Sequence, residues 1–390
     1  MNIIALTPGG ANLGSRIASV FPESILWIPE DLDFLGETNR YRRWKKPLQP
    51  TFGGIYQEGR PILFIGALAI LVRFLGPLMT NKKQDPPVVA LDEKGHHVIA
   101  VLSGHWGGAN ELAHQVAQAI DAKPVITTAT DVVEVPAVDL FARRYGARID
   151  PWENVKKISS ALLRQQPVQW LMEEKFLQYW QRYIKNKLSP LDKEYKVAPE
   201  LQIPWQTWTS HIKDEEEKRE LALGDNKGNN LTVLCTSTRK KSPATITLYP
   251  RYIVAGIGCR RGVSLEKVKA ALHQAFVEAE IDERCLLAIA SGWIKKEEPA
   301  LVELAREREL PFYTFQPYEI ENCCNQHEEI TASSFVYQTI GVKALCEPAA
   351  LLVHQRSRLL VTKRSYGPVT IALAEAPWPL LDSVQQEKMK

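Results

Sequence analysis

Short apolar runs bounded by proline, glycine or charge recur along the first third of the chain: IIAL (3–6), SILWIP (24–29), PILFIG (61–66), PVVALD (87–92), HVIAVL (97–102) and PVITTAT (124–130). Runs of this length without polar alternation predict strands buried on both faces, as in a parallel sheet covered by helices. Helices are expected between them near 66–75 and 110–120, the second carrying Leu112, Val116 and Ala119 on one face. Strands alternating with helices to about residue 150 imply a mostly parallel α/β domain.

From about 136 to 250 the pattern loosens. Five of the ten tryptophans (Trp152, Trp170, Trp180, Trp205, Trp208) fall here, with the proline-bearing SPLDKEYKVAPELQIP (189–204) and the charge run KDEEEKRE (213–220). A small, irregular middle domain with a polar insertion is expected, its tryptophans packing a core rather than covering a flat ligand. A second α/β unit opens at Tyr252, where IVAGIG (253–258) leads into CRRG (259–262). Ser264 is placed to cap a helix with Leu265, Val268, Leu272 and Ala275 on one face. CLLAIAS (285–291), LPFYTF (310–315), RLLVTK (358–363) and PVTIALA (368–374) supply further strands. The expected fold is α/β: two mostly parallel-sheet α/β domains, 1–135 and 251–390, flanking a smaller irregular middle domain, 136–250.

Composition changes this picture little. At 390 residues, 45% hydrophobic and 24% charged, the chain is an ordinary globular protein with room for two or three cores. A formal charge of +3 provides no global field for nucleic acid, and YRRWKKP (41–47) reads as a solvated basic face or an anion contact. The six cysteines include the neighbours Cys323 and Cys324 but no C-x-x-C, which favours a reducing compartment. MNIIALTPGG reads as a first strand rather than a signal peptide, and the apolar stretch Ile62–Val72 is shorter than the roughly 20 residues that span a bilayer. A cytoplasmic protein is expected.

Candidate chemistry concentrates in VLSGHWGGANELAHQ (101–115), which reads as strand, glycine turn and helix, with Asn110 as the expected N-cap. Gly104, Gly107 and Gly108 permit a tight turn whose amides point outward at the positive end of a helix dipole, a setting for phosphate or carboxylate. His105 adds a titratable group. The turn lacks both the lysine of a Walker loop and the spacing of a dinucleotide loop. The residues alone leave two readings open, an anion or catalytic site and a tight α/β connection. The turn after IVAGIG repeats the design with Arg260 and Arg261, whose planar forks suit carboxylates. Two such turns suggest a ligand with several anionic groups. Cys259 stands beside those arginines, which would lower a thiol's pKa, yet a small buried residue is the better reading. Ser103 lies in LSGH, which is no nucleophile elbow. His96 and His97 are expected on opposite faces of a strand, so no protein-bound metal is suggested.

Taken in order, several of these motifs carry a resemblance. GALAILVRFLGP, KKQDPPVVALDEKG, LSGHWGGANELA and PVITTATD lie in the first domain. GIGCRRGVS, the spacing of Ser291, Lys295, Glu298 and Pro299, GVKALCEPAALL and TKRSYGPVTIALA lie in the last. Together they resemble the CbiG family, the cobalt-precorrin-5A hydrolases of the anaerobic route to cobalamin, over most of 62–140 and 252–375. The middle domain and the stretch to about residue 60 match loosely. Trp293 stands where the family usually has an acid, and Cys346 where it usually has alanine.

The resemblance implies a hydrolase that opens a δ-lactone on a ring-contracted cobalt-corrinoid and releases its two-carbon bridge as acetaldehyde. That chemistry needs a base near water, donors for an oxyanion and cations for acid arms. His105 is the expected base or proton shuttle, since an unperturbed imidazole pKa of about 6.5 serves both directions. Ser103, Gly104, Gly107, Gly108 and Asn110 would form the substrate-binding turn, with the Gly107 and Gly108 amides on an oxyanion or carboxylate. Arg73, Lys82, Gly258, Arg260, Arg261 and Lys295 would hold acid arms, and Thr128 and Asp131 of TTATD would bind substrate or cap a turn. Glu347 is a candidate acid or a dipole-favoured carboxylate. No protein-bound cofactor is implied, cobalt being carried by the substrate. Expected partners are the corrinoid and, transiently, the pathway's methyltransferases, with no nucleic acid and no membrane. A non-catalytic carrier of tetrapyrrole intermediates is the alternative, and without the resemblance a sugar-phosphate or nucleotide enzyme would be the choice.

Overall fold

A computed structural model describes residues 1–34, 40–81, 84–129, 133, 135–187, 203–208, 231–240 and 244–379. Its chain forms two compact units, Met1–Leu140 and Phe141–Lys390. In the first, β1 (Asn2–Ala5), β2 (Ile25–Pro29), β3 (Tyr41–Trp44), β4 (Ile62–Ile65), β5 (Val88–Leu91), β6 (His97–Leu102) and β7 (Lys123–Val125) make one sheet in the order β3-β2-β1-β4-β5-β6-β7. Every pairing is parallel except β5 with β6. Helices α1 (Pro8–Val20), α2 (Leu48–Gln57), α3 (Leu68–Leu75) and α4 (Ala109–Ile120) cover it.

Strand alternation explains the two faces. Ile3, Leu26, Leu63 and Val89 pack with Ile17 of α1 and Val116 of α4, whereas Ile4, Phe64, Val88 and Ala90 pack with Phe52 of α2 and Leu71 of α3. β6 departs from the expectation of burial on both faces. Only Val98 is buried, and Ile99 to Leu102 are half-buried. The outer neighbour β7 is only three residues long and pairs with His97 to Ile99, so beyond Ile99 β6 is paired on its β5 side alone among the described residues. Because β6 runs against β5, the turn that follows it opens beside the residues preceding β5.

The second unit holds two sheets. β8 (Ala147–Asp150), β9 (Val168–Glu173), β10 (Gln206–Trp208), β11 (Leu231–Cys235) and β12 (Ile246–Pro250) pair in the order β10-β9-β11-β12-β8, parallel except for β8. Helix α5 (Val138–Arg144) begins in the first unit and ends in the second, and α6 (Val155–Leu163) and α7 (Glu174–Lys187) accompany these strands. Trp180 is fully buried in an aromatic cluster with Phe141 and Tyr145, ring centroids 5.1 and 4.6 Å away, and Trp170 and Trp205 pack edge to face at 5.4 Å. The middle-region tryptophans Trp170 and Trp180 are thus core residues, while Trp152 and Trp208 are half-buried. The charge run 213–220 and nearly all of 189–204 lie outside the described residues.

β13 (Ile253–Cys259), β14 (Leu286–Gly292), β15 (Phe312–Phe315), β16 (Arg358–Tyr366) and β17 (Val369–Glu375) form the last sheet, ordered β15-β14-β13-β17-β16. β15, β14 and β13 are parallel, and the β16–β17 hairpin joins them antiparallel. Helices α8 (Leu265–Glu278), α9 (Pro299–Arg308), α10 (Pro317–Gln326), α11 (Ser334–Ile340) and α12 (Cys346–Leu352) surround it. Ser264 precedes α8 as expected. The α/β class read from the alternation of runs is the class observed.

α12 crosses β13 so closely that a Cβ on Gly256 would stand 1.9 Å from the carbonyl oxygen of Cys346. Gly256→Ala must therefore push a backbone aside, with an expected loss of about 2 kcal/mol or more. Gly54→Ala in α2, where nothing lies within 4 Å of the added carbon, is the control and is expected to be neutral or slightly stabilising. Denaturant midpoints of the two variants check the contrast.

Candidate functional site

In the first unit the glycine turn closes on itself. Ser103 adopts a left-handed φ of 56° and its hydroxyl donates to the Asp85 carbonyl at 2.8 Å. A Cβ on Gly107 would stand 2.3 Å from that of Ser103, and one on Gly104 2.6 Å from Asn110 Oδ1, so neither position accepts a side chain. Gly108, at φ 91°, is the N-cap of α4 in place of the expected Asn110. The chain must turn in a left-handed conformation just before the helix, which glycine tolerates best. Asn110 sits inside the helix and its amide donates to Thr128 Oγ1 at 3.0 Å, tying the turn to the segment after β7.

The expected outward amides are also fewer. The amides of Ala109 and Asn110 donate to the carbonyls of Ser103 and Gly104, each at 3.1 Å. Asp85 anchors this arrangement from the other side. Burial pushes its carboxyl up, but hydrogen bonds, those from the Thr80 amide and hydroxyl foremost, outweigh it and hold the pKa below the ordinary range.

His105 is 10% exposed, and its Nδ1 lies 3.8 Å from Oδ1 of Asp139, itself 8% exposed. The two are an ion pair whenever the imidazole is protonated. Sequence reasoning missed Asp139; its only local signal is an acid in the first turn of α5. Arg73 is exposed in the last turn of α3, where its charge complements the helix's carbonyl end. Lys82 and Asp131 lie outside the described residues.

The second unit contains a cavity of about 1140 Å³ bounded by the turn after β13, the segment from β14 into α9, α11, the start of α12 and the β16–β17 hairpin. Gly258 lies on its wall, and a Cβ there would stand 2.6 Å from Thr370 Oγ1. Arg260 and Arg261 are exposed at the cavity. Lys295 differs from expectation. Its Nζ lies 2.8 Å from Glu298 Oε2, the two side chains being 8% and 5% exposed, so its charge is already spent. Glu298 Oε1 also accepts the Gly262 amide at 2.8 Å, fixing the arginine turn. Burial raises the Glu298 carboxyl, but Lys295, the Gly262 amide and Arg261 together hold it below its ordinary pKa.

Cys259 is not the activated thiol its arginine neighbours suggest. Burial pushes it up most, Glu298 adds to this, and the cation that opposes them is Lys295. Glu347 lies deep in the same unit. It is 2% exposed, its Oε1 accepts the Lys363 amide at 3.1 Å, and it is not part of the cavity wall. The packing of α12 presents Cys346 there instead, its sulfur 3.1 Å from Thr370 Oγ1 and its pKa pushed up to about 12 by burial.

Among the described residues no three His, Cys, Asp or Glu side chains converge as metal ligands. His96 and His97 do not diverge, since each Nδ1 lies 3.8 Å from Asp92. His96 precedes β6, so strand alternation does not govern the pair.

Three family models match the chain: cobalamin synthesis G N-terminal at residues 50–131, cobalamin biosynthesis central region at 136–250, and cobalamin synthesis G C-terminus at 253–374. A cobalt-precorrin-5A hydrolase of Salmonella typhimurium is 33% identical over 386 residues, 96% of this chain and 97% of that protein. One of Priestia megaterium is 27% identical over 381 residues, 96% and 95% of the two chains. A probable cobalt-precorrin-5A hydrolase of Methanocaldococcus jannaschii is 25% identical over 325 residues, 81% and 85%.

Removing one member of the buried Lys295–Glu298 pair strands the other. Lys295→Met is expected to cost about 3–5 kcal/mol in urea unfolding. Because the folded carboxyl titrates below an ordinary glutamate, its contribution is complete above about pH 4.3 and fades as pH falls through the lowered value. The stability gap between wild type and Glu298→Gln should therefore be full near neutrality and shrink below about pH 4. An equal gap at both pH values would mean that the pair is not ionic.

Proposed function

The chain belongs to the CbiG family of cobalamin-biosynthesis proteins, and from that premise we propose that it is a cobalt-precorrin-5A hydrolase whose proton transfers run through His105. The observation that carries the activity is the match to the Salmonella typhimurium hydrolase, at 33% identity and nearly end to end in both chains.

The reaction has two steps with opposite proton demands. Water adds to the lactone carbonyl and loses a proton; the ring C–O bond then breaks, leaving on the macrocycle a carboxylic acid, which ionises to solvent, and on the two-carbon bridge an alkoxide. The alkoxide closes to a carbonyl as the carbon–carbon bond to the macrocycle breaks, its electron pair passing into the conjugated ring, and acetaldehyde departs. His105 accepts the first proton and returns one in the second step. Asp139, 3.8 Å from its Nδ1, favours the intermediate imidazolium. The closed turn of Ser103, Gly104, Gly107 and Gly108, tied through Asn110 to Thr128, fixes the ring in place. Arg260 and Arg261 take acid arms of the substrate at the C-terminal cavity, where Lys295 is neutralised by Glu298. Cobalt arrives and leaves within the corrinoid. The protein acts in the cytoplasm, receiving and passing on intermediates in transient contact with the pathway's methyltransferases.

The test supplies enzymatically generated cobalt-precorrin-5A to the full-length protein and follows acetaldehyde with coupled alcohol dehydrogenase. Enzyme-dependent acetaldehyde is expected, with His105→Ala lowering kcat by about 100-fold or more. Arg260→Ala with Arg261→Ala should raise KM more than it lowers kcat. Tight binding without acetaldehyde would favour the carrier function, and an active His105→Ala would place the base elsewhere.

A further inference from the structure

The α11 helix contributes Phe335, Val336, Thr339 and Ile340 to the wall of the C-terminal cavity, and none of its residues is buried. Val336 and Ile340, one helical turn apart, pack half-buried against the core cluster that contains Leu345 and Ala349. Phe335 is left 74% exposed. Ile294, on the segment that follows β14, is a second uncovered apolar side chain on the same wall, 46% exposed. A large aromatic side chain left in water beside a cavity keeps its transfer energy for whatever covers it.

The charges around these side chains state what that is. Arg260, Arg261 and Lys363 stand against Glu297 on the wall, and Lys295 and Glu298 neutralise each other. The cavity is therefore cationic around an apolar centre. Its complement is a ligand with an apolar, flat middle and anionic groups on its edge. A linear polycarboxylate would leave Phe335 uncovered, and a neutral apolar ligand would leave the arginines without a counter-charge.

We infer that this cavity takes a macrocycle carrying carboxylate arms, with Phe335 against the ring face and Arg260, Arg261 and Lys363 on the arms, so that α11 is the element that recognises the ring itself. The identity of the ring rests on the function proposed above; the match of apolar and charged groups does not.

The experiment titrates the full-length protein with a corrin polycarboxylate, made by hydrolysing the side-chain amides of a stable corrinoid, and reads the change in corrin absorbance. Phe335→Ala is expected to weaken Kd about tenfold and Phe335→Trp to restore it. The loss in Phe335→Ala should persist at high salt, whereas the loss in Arg260→Ala with Arg261→Ala should fade as the wild type itself weakens. Since Phe335 is exposed, the thermal midpoint of its variants should match wild type. Equal Kd for wild type and Phe335→Ala, or no binding by wild type, overturns the inference. Acetaldehyde release with unchanged Kd in Phe335→Ala would leave the hydrolase and remove this site. Phe335-dependent binding without acetaldehyde would leave the site and remove the hydrolase.

Discussion

Chain passes so close to chain at two places, the turn after β6 and the middle of β13, that no side chain fits between. Gly107 would carry a Cβ 2.3 Å from that of Ser103, and Gly256 one 1.9 Å from the Cys346 carbonyl. These approaches set the positions of everything downstream. The first folds the turn after β6 against the start of α4, which consumes two helix amides and leaves His105 nearly buried beside Asp139. The second seats α12 on β13, so that Cys346 faces the cavity and Glu347 is turned into the protein. Glycine is required there for space.

Electrostatics then divides the cationic side chains by what they are free to do. Lys295 is bound to Glu298, and that carboxylate also holds the Gly262 amide, so the pair shapes the turn that carries Arg260 and Arg261. Such a buried pair contributes definition more than net stability, because desolvation offsets most of its attraction. The two arginines stay exposed at the cavity. Ser103 is held in the same spirit by Asp85, whose carboxylate is fixed by Thr80.

The elements themselves were legible because their signals are local. Runs such as ILFI and VVAL need only their own apolarity to be strands, and α4 announces itself by spacing. What stayed hidden depends on partners distant in sequence. The half-exposure of β6 follows from the shortness of β7, which no pattern in β6 reports. Asn110 has the chemistry of an N-cap, but its amide is drawn to Thr128 once the turn closes. Asp139 reaches His105 only after a helix and a strand have folded between them. The Lys295–Glu298 pair had a visible i, i+3 spacing, yet its burial, which decides that Lys295 is no free clamp, is a property of the packed unit. Phe335 gave no signal, since an aromatic residue in a short helix that also carries Tyr337 looks the same whether it packs or waits.

Hydrolysis of a lactone on a corrinoid leaves an isotopic mark that oxygen labelling reads. Cobalt-precorrin-5A would be turned over in water enriched in heavy oxygen and the macrocyclic product weighed. Attack of water on the carbonyl predicts one heavy oxygen retained in the newly freed carboxylate of a macrocycle that has lost its two-carbon bridge. Loss of the bridge without label, or label-free recovery of intact substrate, would contradict hydrolysis as the reaction of this protein.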